Sequence, residues 1–187
     1  MIILSVGNIT THLQQITIQL NEHGFKANWT TYSDKVVTLY NGSDLDMVAF
    51  GPGIKEKYKL FIMEIFSVQN PAIIFVDGLA PIPSLVVDQI RHTAAIAKGR
   101  NGNPLKDIEI NKADCSVAFS AIAECKVKID LYHLSPFYNV TEKIVTQTHL
   151  SPGKHKFTVD KKDKSFFGKH FIVIKANDKP WHIGLLP

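Results

Sequence analysis

Apolar positions in the first half of the chain alternate between short runs and helical spacing. A short apolar run such as residues 2–6, in which only Ser5 is polar, is typical of a strand that is covered on both faces. Leu13, Ile16 and Leu20 recur at helical spacing and predict a helix that ends at Gly24. The same two patterns predict further strands at 25–32, 45–50 and 72–76, and helices at 33–40, 55–68 and 84–97. This order predicts a parallel sheet with right-handed crossovers and helices on both faces.

Side chains also predict where the helices begin and which face they bury. Asn8 or Thr10 is suited to cap the first helix, and Ser33 and Ser84 are suited to cap later ones, because their side-chain oxygens accept bonds from first-turn amides. The helix at 55–68 has an apolar side, on which we expect Tyr58, Phe61, Ile62, Ile65 and Phe66 to be buried.

From residue 106 onward, helical spacing gives way to alternation. Val127, Ile129 and Leu131 alternate with Lys128, Asp130 and Tyr132, which is the pattern of a half-buried antiparallel strand. Segments with strand character lie at 106–113, 115–121, 126–134, 142–149, 155–161, 170–176 and 180–186. Seven short strands at this spacing predict an immunoglobulin-like β-sandwich.

The distribution of charge supports a division of the chain. The net charge of the 187 residues is +4, but residues 1–95 hold 6 basic and 8 acidic side chains, whereas residues 96–187 hold 15 and 9. We therefore predict an α/β domain at 1–97, a linker at 98–105 and a β-sandwich domain at 106–187.

The composition is that of a globular protein, with 45% hydrophobic and 20% charged residues. The first residues lack the basic and apolar pattern of a signal peptide. No apolar run approaches the roughly 20 residues that span a bilayer. We therefore expect Cys115 and Cys125 to be reduced thiols, and we expect a cytoplasmic protein that does not contact membranes.

Parallel sheets bind their ligands beyond the carboxyl ends of the strands. The candidate ligand-binding residues at this edge are Ser5, Gly7, Asn8 and Thr10 after the first strand, Gly51 and Gly53 after the third, and Asp77 after the fourth. The first turn has one glycine and does not match the G-x-G-x-x-G pattern of dinucleotide sites. The hydroxyl-rich turn after the first strand and the open Gly-Pro-Gly turn after the third strand could also bind the phosphate of a flavin or a nucleotide. Helix capping and chain reversal explain the same residues and are favoured.

The strand order and size of residues 1–95 resemble a response-regulator receiver domain, which has a flavodoxin-like fold. The resemblance implies an acidic pair after the first strand, a phosphoacceptor aspartate at the end of the third and a lysine after a fifth. Here the first turn, at 5–8, has no carboxylate, the acceptor position falls near Gly51, and Asp46 begins the third strand at its opposite end. Asp77 alone cannot hold Mg²⁺ and also accept a phosphoryl group. We therefore predict a degenerate receiver-like domain with no catalytic residue, no metal and no cofactor.

Residues 103–187 resemble a small β-sandwich module that serves as a secretion-sorting tail, and related modules of flagellar hook-capping proteins. The shared features are Leu131-Tyr132 at a strand end, Leu150, Pro152-Gly153, His155, and Gly168 before an apolar strand. Sorting tails follow exported domains, whereas this chain shows no export signal. Either such a signal precedes the sequence, or the module serves in intracellular interaction or dimerisation, and we favour the second.

Histidines and basic residues in the second half suggest two further kinds of site. The spacing of His133, His149, His155, His170 and His182 follows no pattern of zinc ligands. A basic cluster with aromatic residues has the composition of a nucleic-acid-binding surface: Lys161, Lys162, Lys164, Phe166, Phe167 and Lys169. A solvated hairpin loop with its phenylalanines in the core is the favoured interpretation, so we expect no nucleic-acid partner.

These patterns together predict a non-enzymatic regulatory or scaffolding protein that contacts other proteins. An exposed edge strand of the sandwich makes a homodimer an expected assembly. The alternative is a nucleotide- or flavin-binding α/β protein that uses the turns after the first and third strands.

Overall fold

Strands and helices follow the predicted order, and their bounds differ from the predictions by a few residues. The computed structural model describes residues 1–99, 102–111, 113–137, 139–160 and 168–186. The chain divides into two compact units, Met1–Ile90 and Arg91–Pro187. This division falls within a helix, and the linker predicted at 98–105 lies partly outside the described residues. The domain boundaries therefore remain a prediction.

The first unit is built on a four-stranded parallel sheet. Its strands are β1 (Ile2–Val6), β2 (Lys26–Thr30), β3 (Met47–Phe50) and β4 (Ile74–Asp77), in the order β2-β1-β3-β4. Its helices are α1 (Thr10–Glu22), α2 (Val36–Leu39) and α3 (Glu56–Gln69), and a 3₁₀ turn spans Gly42–Asp44. The next helix, α4 (Pro83–Ala97), contains the division between the two units. Because β1 lies between β2 and β3, the direction of strand addition reverses between β1 and β3. Open α/β sheets bind ligands at such a point.

One face of this sheet packs against α2 and α3. The buried cluster contains Leu4, Val6, Val48 and Phe50 from the sheet, Val36 from α2, and Ile62 and Phe66 from α3. The prediction for α3 is confirmed for Ile62 and Phe66, while Tyr58 and Ile65 are half-buried. It is wrong for Phe61, which is 45% exposed. The sheet covers the opposite side of the helix, where Ile62 and Phe66 lie.

The helix caps differ from the prediction. The N-cap of α1 is Ile9 and that of α2 is Lys35, and neither helix has a side-chain cap among the described residues. Pro83 is the first residue of α4, a position where its missing N–H has no helical partner to lose. The predicted caps Asn8, Thr10, Ser33 and Ser84 are therefore wrong.

Along the described residues, no helix is both long enough and apolar enough to cross a lipid bilayer.

In the second half, the described residues form seven strands in two antiparallel sheets. The strands are β5 (Leu105–Asn111), β6 (Ser116–Ala121), β7 (Cys125–Leu134), β8 (Val140–Leu150), β9 (Gly153–Thr158), β10 (Lys169–Ala176) and β11 (Lys179–Leu186). One sheet has the order β11-β10-β7-β8 and the other β5-β6-β9. The predicted change from a parallel sheet with helices to antiparallel strands is confirmed.

The two antiparallel sheets share one hydrophobic core. It contains Val117 and Phe119 of β6, Val127, Ile129 and Leu131 of β7, and Ile172 and Ile174 of β10. The core face predicted for β7 is thus confirmed. The strand is not half-buried as predicted, however, because Asp130 and Tyr132 on its other face are also buried. Cys115 and Cys125 are reduced thiols in the same core, as predicted. Burial raises the pKa of the Cys125 thiol.

The other face of β7 carries a buried carboxylate. Asp130 is 0% exposed, with Lys128 Nζ 2.8 Å from Oδ1 and Lys175 Nζ 3.2 Å from Oδ2. Among the described residues neither oxygen has a hydrogen bond of good geometry. The two short distances are therefore best described as ion pairs, which place two positive charges around one negative charge.

The edge strand β8 contains a β-bulge. Ile129 pairs with Thr146 whereas Asp130 pairs with Ile144, so Val145 is an extra residue opposite β7. A bulge increases the local twist and interrupts the row of backbone groups that an edge strand presents.

Candidate functional site

The turns after β1 and β3 lie side by side at the carboxyl edge of the parallel sheet. Val6 and Phe50 are register partners at the ends of these strands. The Gly51 amide donates a hydrogen bond to the Val6 carbonyl at 2.8 Å, and the Gly78 amide donates one to the Phe50 carbonyl at 2.8 Å. The structure therefore brings most of the predicted candidates to one edge: Gly7, Asn8, Gly51, Gly53 and Asp77.

One side chain joins the two turns across this edge. Asn8 Nδ2 donates a hydrogen bond to the Gly53 carbonyl oxygen at 3.0 Å. Gly53 has a φ of +106°, a conformation that side chains with a Cβ rarely adopt. The Asn8 amide thus spans the position between β1 and β3 at which a ligand of such a sheet would enter.

The candidate acid at this edge is paired with a lysine. Asp77, the last residue of β4, is 66% exposed, and its Oδ1 lies 2.6 Å from Lys59 Nζ of α3. Glu56 Oε2 lies 3.8 Å from the same ammonium. Asp46 is at the amino edge, where its Oδ2 accepts a hydrogen bond from the Ile2 amide at 2.7 Å. The acids of the sheet are thus divided between its two ends, as the sequence predicts for Asp46.

Ser5 and Thr10 are placed differently from the other candidates. Ser5 lies within β1 and is 2% exposed, and its hydroxyl oxygen has no hydrogen-bond partner among the described residues. A ligand at the surface of the edge cannot contact a side chain that is so deeply buried. Thr10 is the first residue of α1 and lines a separate cleft beside β2.

This cleft has a volume of about 560 Å³ and is lined by Thr10, Trp29, Thr30, Thr31, Tyr32, Leu39 and Tyr40. The Tyr40 hydroxyl donates to the Trp29 carbonyl at 3.3 Å, and Thr30 Oγ1 accepts from the Tyr32 amide at 3.1 Å. Sequence reasoning did not identify Trp29, Tyr32 or Tyr40 as site residues. The aromatic residues Trp29 and Tyr32 at the end of the second predicted strand are a signal that could have identified two of them, whereas Tyr40 lies at the end of the helix predicted at 33–40.

The histidines of the second half are dispersed over several strands. His133 and His170 stack with their ring centroids 4.6 Å apart, and His155 Nε2 lies 2.9 Å from the Ser151 carbonyl oxygen. No group of three or more His, Cys, Asp or Glu side chains in the described part of the chain could hold a metal ion. Burial lowers the pKa of His182, and the nearby His92 lowers it further.

The basic cluster predicted at 161–169 lies mostly outside the described residues. Lys161, Lys162, Lys164, Phe166 and Phe167 are not described, and Lys169 is the exposed first residue of β10. The interpretation of this cluster as a hairpin loop therefore stays a prediction. Another exposed lysine, Lys156, lies 2.7 Å from Asp114 Oδ2, and this hydrogen bond lowers the pKa of Asp114.

Comparison with known proteins gives little further information. No protein-family model matches the chain, and no curated protein matches it. Among solved structures, it is similar to Pseudomonas fluorescens alkylpurine DNA glycosylase AlkC bound to DNA containing an abasic site analog, with 12% identity and a TM-score of 0.29. The match covers 71% of this chain and 42% of that chain. A similarity of this size supports no conclusion about fold or function.

Proposed function

We propose that this chain is a non-enzymatic regulatory or scaffolding protein that acts through contacts with other proteins. The observation that carries the proposal is the internal pairing of polar groups at the carboxyl edge. Asn8 is bound to the Gly53 carbonyl, and Asp77 is bound to Lys59. The groups that chemistry at this edge would require are thus occupied by one another.

The resemblance to a receiver domain is consistent with this proposal. Strand order β2-β1-β3-β4 supports a receiver-like, flavodoxin-like architecture for the first unit. Phosphoryl transfer to aspartate needs a carboxylate nucleophile together with Mg²⁺ held by other carboxylates. Here β1 ends at Val6-Gly7 and β3 ends at Phe50-Gly51, positions that supply no oxygen ligand from a side chain. We propose that the first unit keeps the architecture of a receiver without its chemistry.

For the second unit we propose an immunoglobulin-like sandwich that provides a further contact surface. Two antiparallel sheets around one core support this architecture. The resemblance to sorting-tail modules concerns turns and core spacing, so it supports the fold and assigns no activity.

The direct test is incubation of the purified protein with Mg²⁺ and a small phosphoryl donor such as acetyl phosphate, followed by intact-mass measurement. The expected mass is unchanged, because one lysine-paired carboxylate cannot hold the metal and also act as the nucleophile. Phosphorylation that is lost in Asp77→Asn would overturn the proposal. Native mass spectrometry of the same sample provides a second readout, and a stoichiometric flavin or nucleotide would also overturn it.

A second candidate function, nucleotide or flavin binding, is favoured by the cleft beside β2. Its three aromatic side chains and three threonines could stack a planar ring and bind a polar group. Titration with FMN and with ATP, followed by tryptophan fluorescence, tests this function. Ligand in the cleft would quench Trp29, so quenching would persist in Trp181→Phe and disappear in Trp29→Phe. The protein-contact proposal expects no saturable quenching in either variant.

A further inference from the structure

Helix α3 exposes an apolar stripe on the side that faces away from the sheet. Leu60 is 57% exposed, Phe61 is 45% exposed and Val68 is 81% exposed, and all three lie on this side. Lys57 and Glu64 are also exposed. At 100° per residue, these five residues occupy about 100° of the helix circumference. We call this set, Lys57, Leu60, Phe61, Glu64 and Val68, the α3 stripe.

We propose that the α3 stripe binds the α3 stripe of a second copy of this chain, with the two helices antiparallel. The inference rests on the proposed contact function and names its partner. In a two-fold symmetric pair, facing residues are placed symmetrically about one point on the helix. Lys57 and Glu64 lie equally far from the midpoint between Leu60 and Phe61. With that midpoint on the axis, Lys57 faces the partner's Glu64 and Leu60 faces the partner's Phe61.

The charges select this register over its neighbours. A pair centred on Glu64 would bring two carboxylates together and leave Lys57 outside the contact, and both changes are unfavourable. In the proposed register an ion pair lies on each side of an apolar centre. Lys57 is already held at the helix surface, because its Nζ lies 4.9 Å from the centroid of the Tyr58 ring. Val68 extends the contact towards the partner's Gly53, in the turn that precedes α3.

Two other surfaces fit a second copy less well. Edge strand β8 has a long exposed row of residues, but the bulge at Val145 interrupts it, and bulges disfavour pairing between edges. Ile18 of α1 is 58% exposed, but Gln14, Gln15 and Glu22 are exposed around it. Ile18 is thus an isolated apolar residue, which is ordinary on a protein surface, and it provides a matched control.

Analytical ultracentrifugation of the full chain over a wide concentration range tests the dimer. The expected mass rises with concentration from 20.9 kDa towards twice that value. A single pair of helices is a small interface, so we expect a weak dimer. Lys57→Glu and Glu64→Lys should each raise the dissociation constant about tenfold, because each places like charges opposite each other at both ends of the contact. The double variant K57E/E64K should restore the dimer.

Leu60→Asp should abolish the dimer, whereas Ile18→Asp should leave it unchanged. Circular dichroism identifies any variant that has lost its fold, and the charge reversals test the surface independently of Leu60→Asp. A wild-type protein of 20.9 kDa at all concentrations, or a dimer that is indifferent to the charge reversals, would overturn the inference. A monomer without bound flavin or nucleotide would contradict the dimer and remain compatible with a protein-contact function. A stoichiometric flavin or nucleotide would contradict that function, whatever the oligomeric state.

Discussion

In the first unit the candidate acid lies at the surface, where Asp77 is 66% exposed and pairs with Lys59, whose side chain is 15% exposed. In the second unit Asp130 is completely buried beside Lys128 and Lys175. An ion pair whose carboxylate is mostly in water stabilises a fold little, because water screens that charge. Loss of one partner from a buried pair is costly, because an uncompensated charge remains in a poorly solvated place. The buried Asp130 of the second unit therefore serves the fold, whereas the exposed Asp77 at the sheet edge contributes little to stability.

The largest effect is expected for Asp130→Ala. This change leaves the Lys128 and Lys175 ammonium groups without their shared counterion, and it should lower the free energy of unfolding by about 3 kcal/mol. Urea denaturation followed by circular dichroism measures the loss. Lys156→Ala is the control, because the Asp114–Lys156 pair is exposed and the change leaves the hydrogen bonds from Ser116 to Asp114 in place, so its unfolding curve should match the wild type. A loss under about 1 kcal/mol for Asp130→Ala would contradict the structural role of this carboxylate.

An intermediate effect is expected for Asn8→Ala at the sheet edge. The change removes the hydrogen bond to the Gly53 carbonyl, and it should cost about 1 kcal/mol of unfolding free energy. The exposed Asn28 of β2 provides a control, since Asn28→Ala removes the same side chain away from the two turns. Equal destabilisation by the two variants would show that the hydrogen bond between the turns adds nothing to the free energy of unfolding.

A smaller effect is expected for Asp77→Asn. The ion pair to Lys59 is short, but the carboxylate is mostly in water, so the change should alter the unfolding free energy by less than about 0.5 kcal/mol. The same urea experiment measures it. If Asp77→Asn were as destabilising as Asp130→Ala, the exposed carboxylate would contribute as much to stability as the buried one, and the contrast between them would be wrong.

The smallest effect is expected for the pH dependence contributed by His182, which is half-buried. Its pKa in the folded protein is below the ordinary 6.5, first because of burial and second because of His92. Below pH 6.5 the unfolded chain binds a proton that the folded chain does not, so stability falls as the pH falls towards the lowered pKa. His182→Gln should therefore reduce the slope of unfolding free energy against pH in this range and leave the slope at higher pH unchanged. An identical slope of unfolding free energy against pH in wild type and variant below pH 6.5 would contradict this prediction.

Much of the fold could be predicted because local patterns determine it. The bounds of β1 match the prediction, since a run of five mostly apolar residues that ends at a glycine is short for a helix and suits a strand covered on both faces. Phe61 shows the limit of periodicity. Helix α3 is apolar around much of its circumference, so spacing alone cannot select the face that the sheet covers. The same ambiguity concealed the exposed stripe, which became evident only when Ile62 and Phe66 were located in the core.

The candidate site was less predictable because its contacts join distant parts of the sequence. Asn8 has the chemistry of a cap, but the structure gives it an acceptor 45 positions away, at Gly53. The cleft combines Thr10 with Trp29 and Tyr40, which belong to different elements. Sequence pattern places each residue on an element, and only the tertiary arrangement shows which of them meet.

The extra residue at Val145 also bears on how this protein behaves when it is crowded. Without it, β8 would present an uninterrupted ladder of amides and carbonyls, onto which strands of neighbouring molecules could add. Deletion of that one residue should therefore shorten the time before a concentrated solution forms fibrous aggregates. A local irregularity of the backbone thus opposes association of the molecules through the edge of β8.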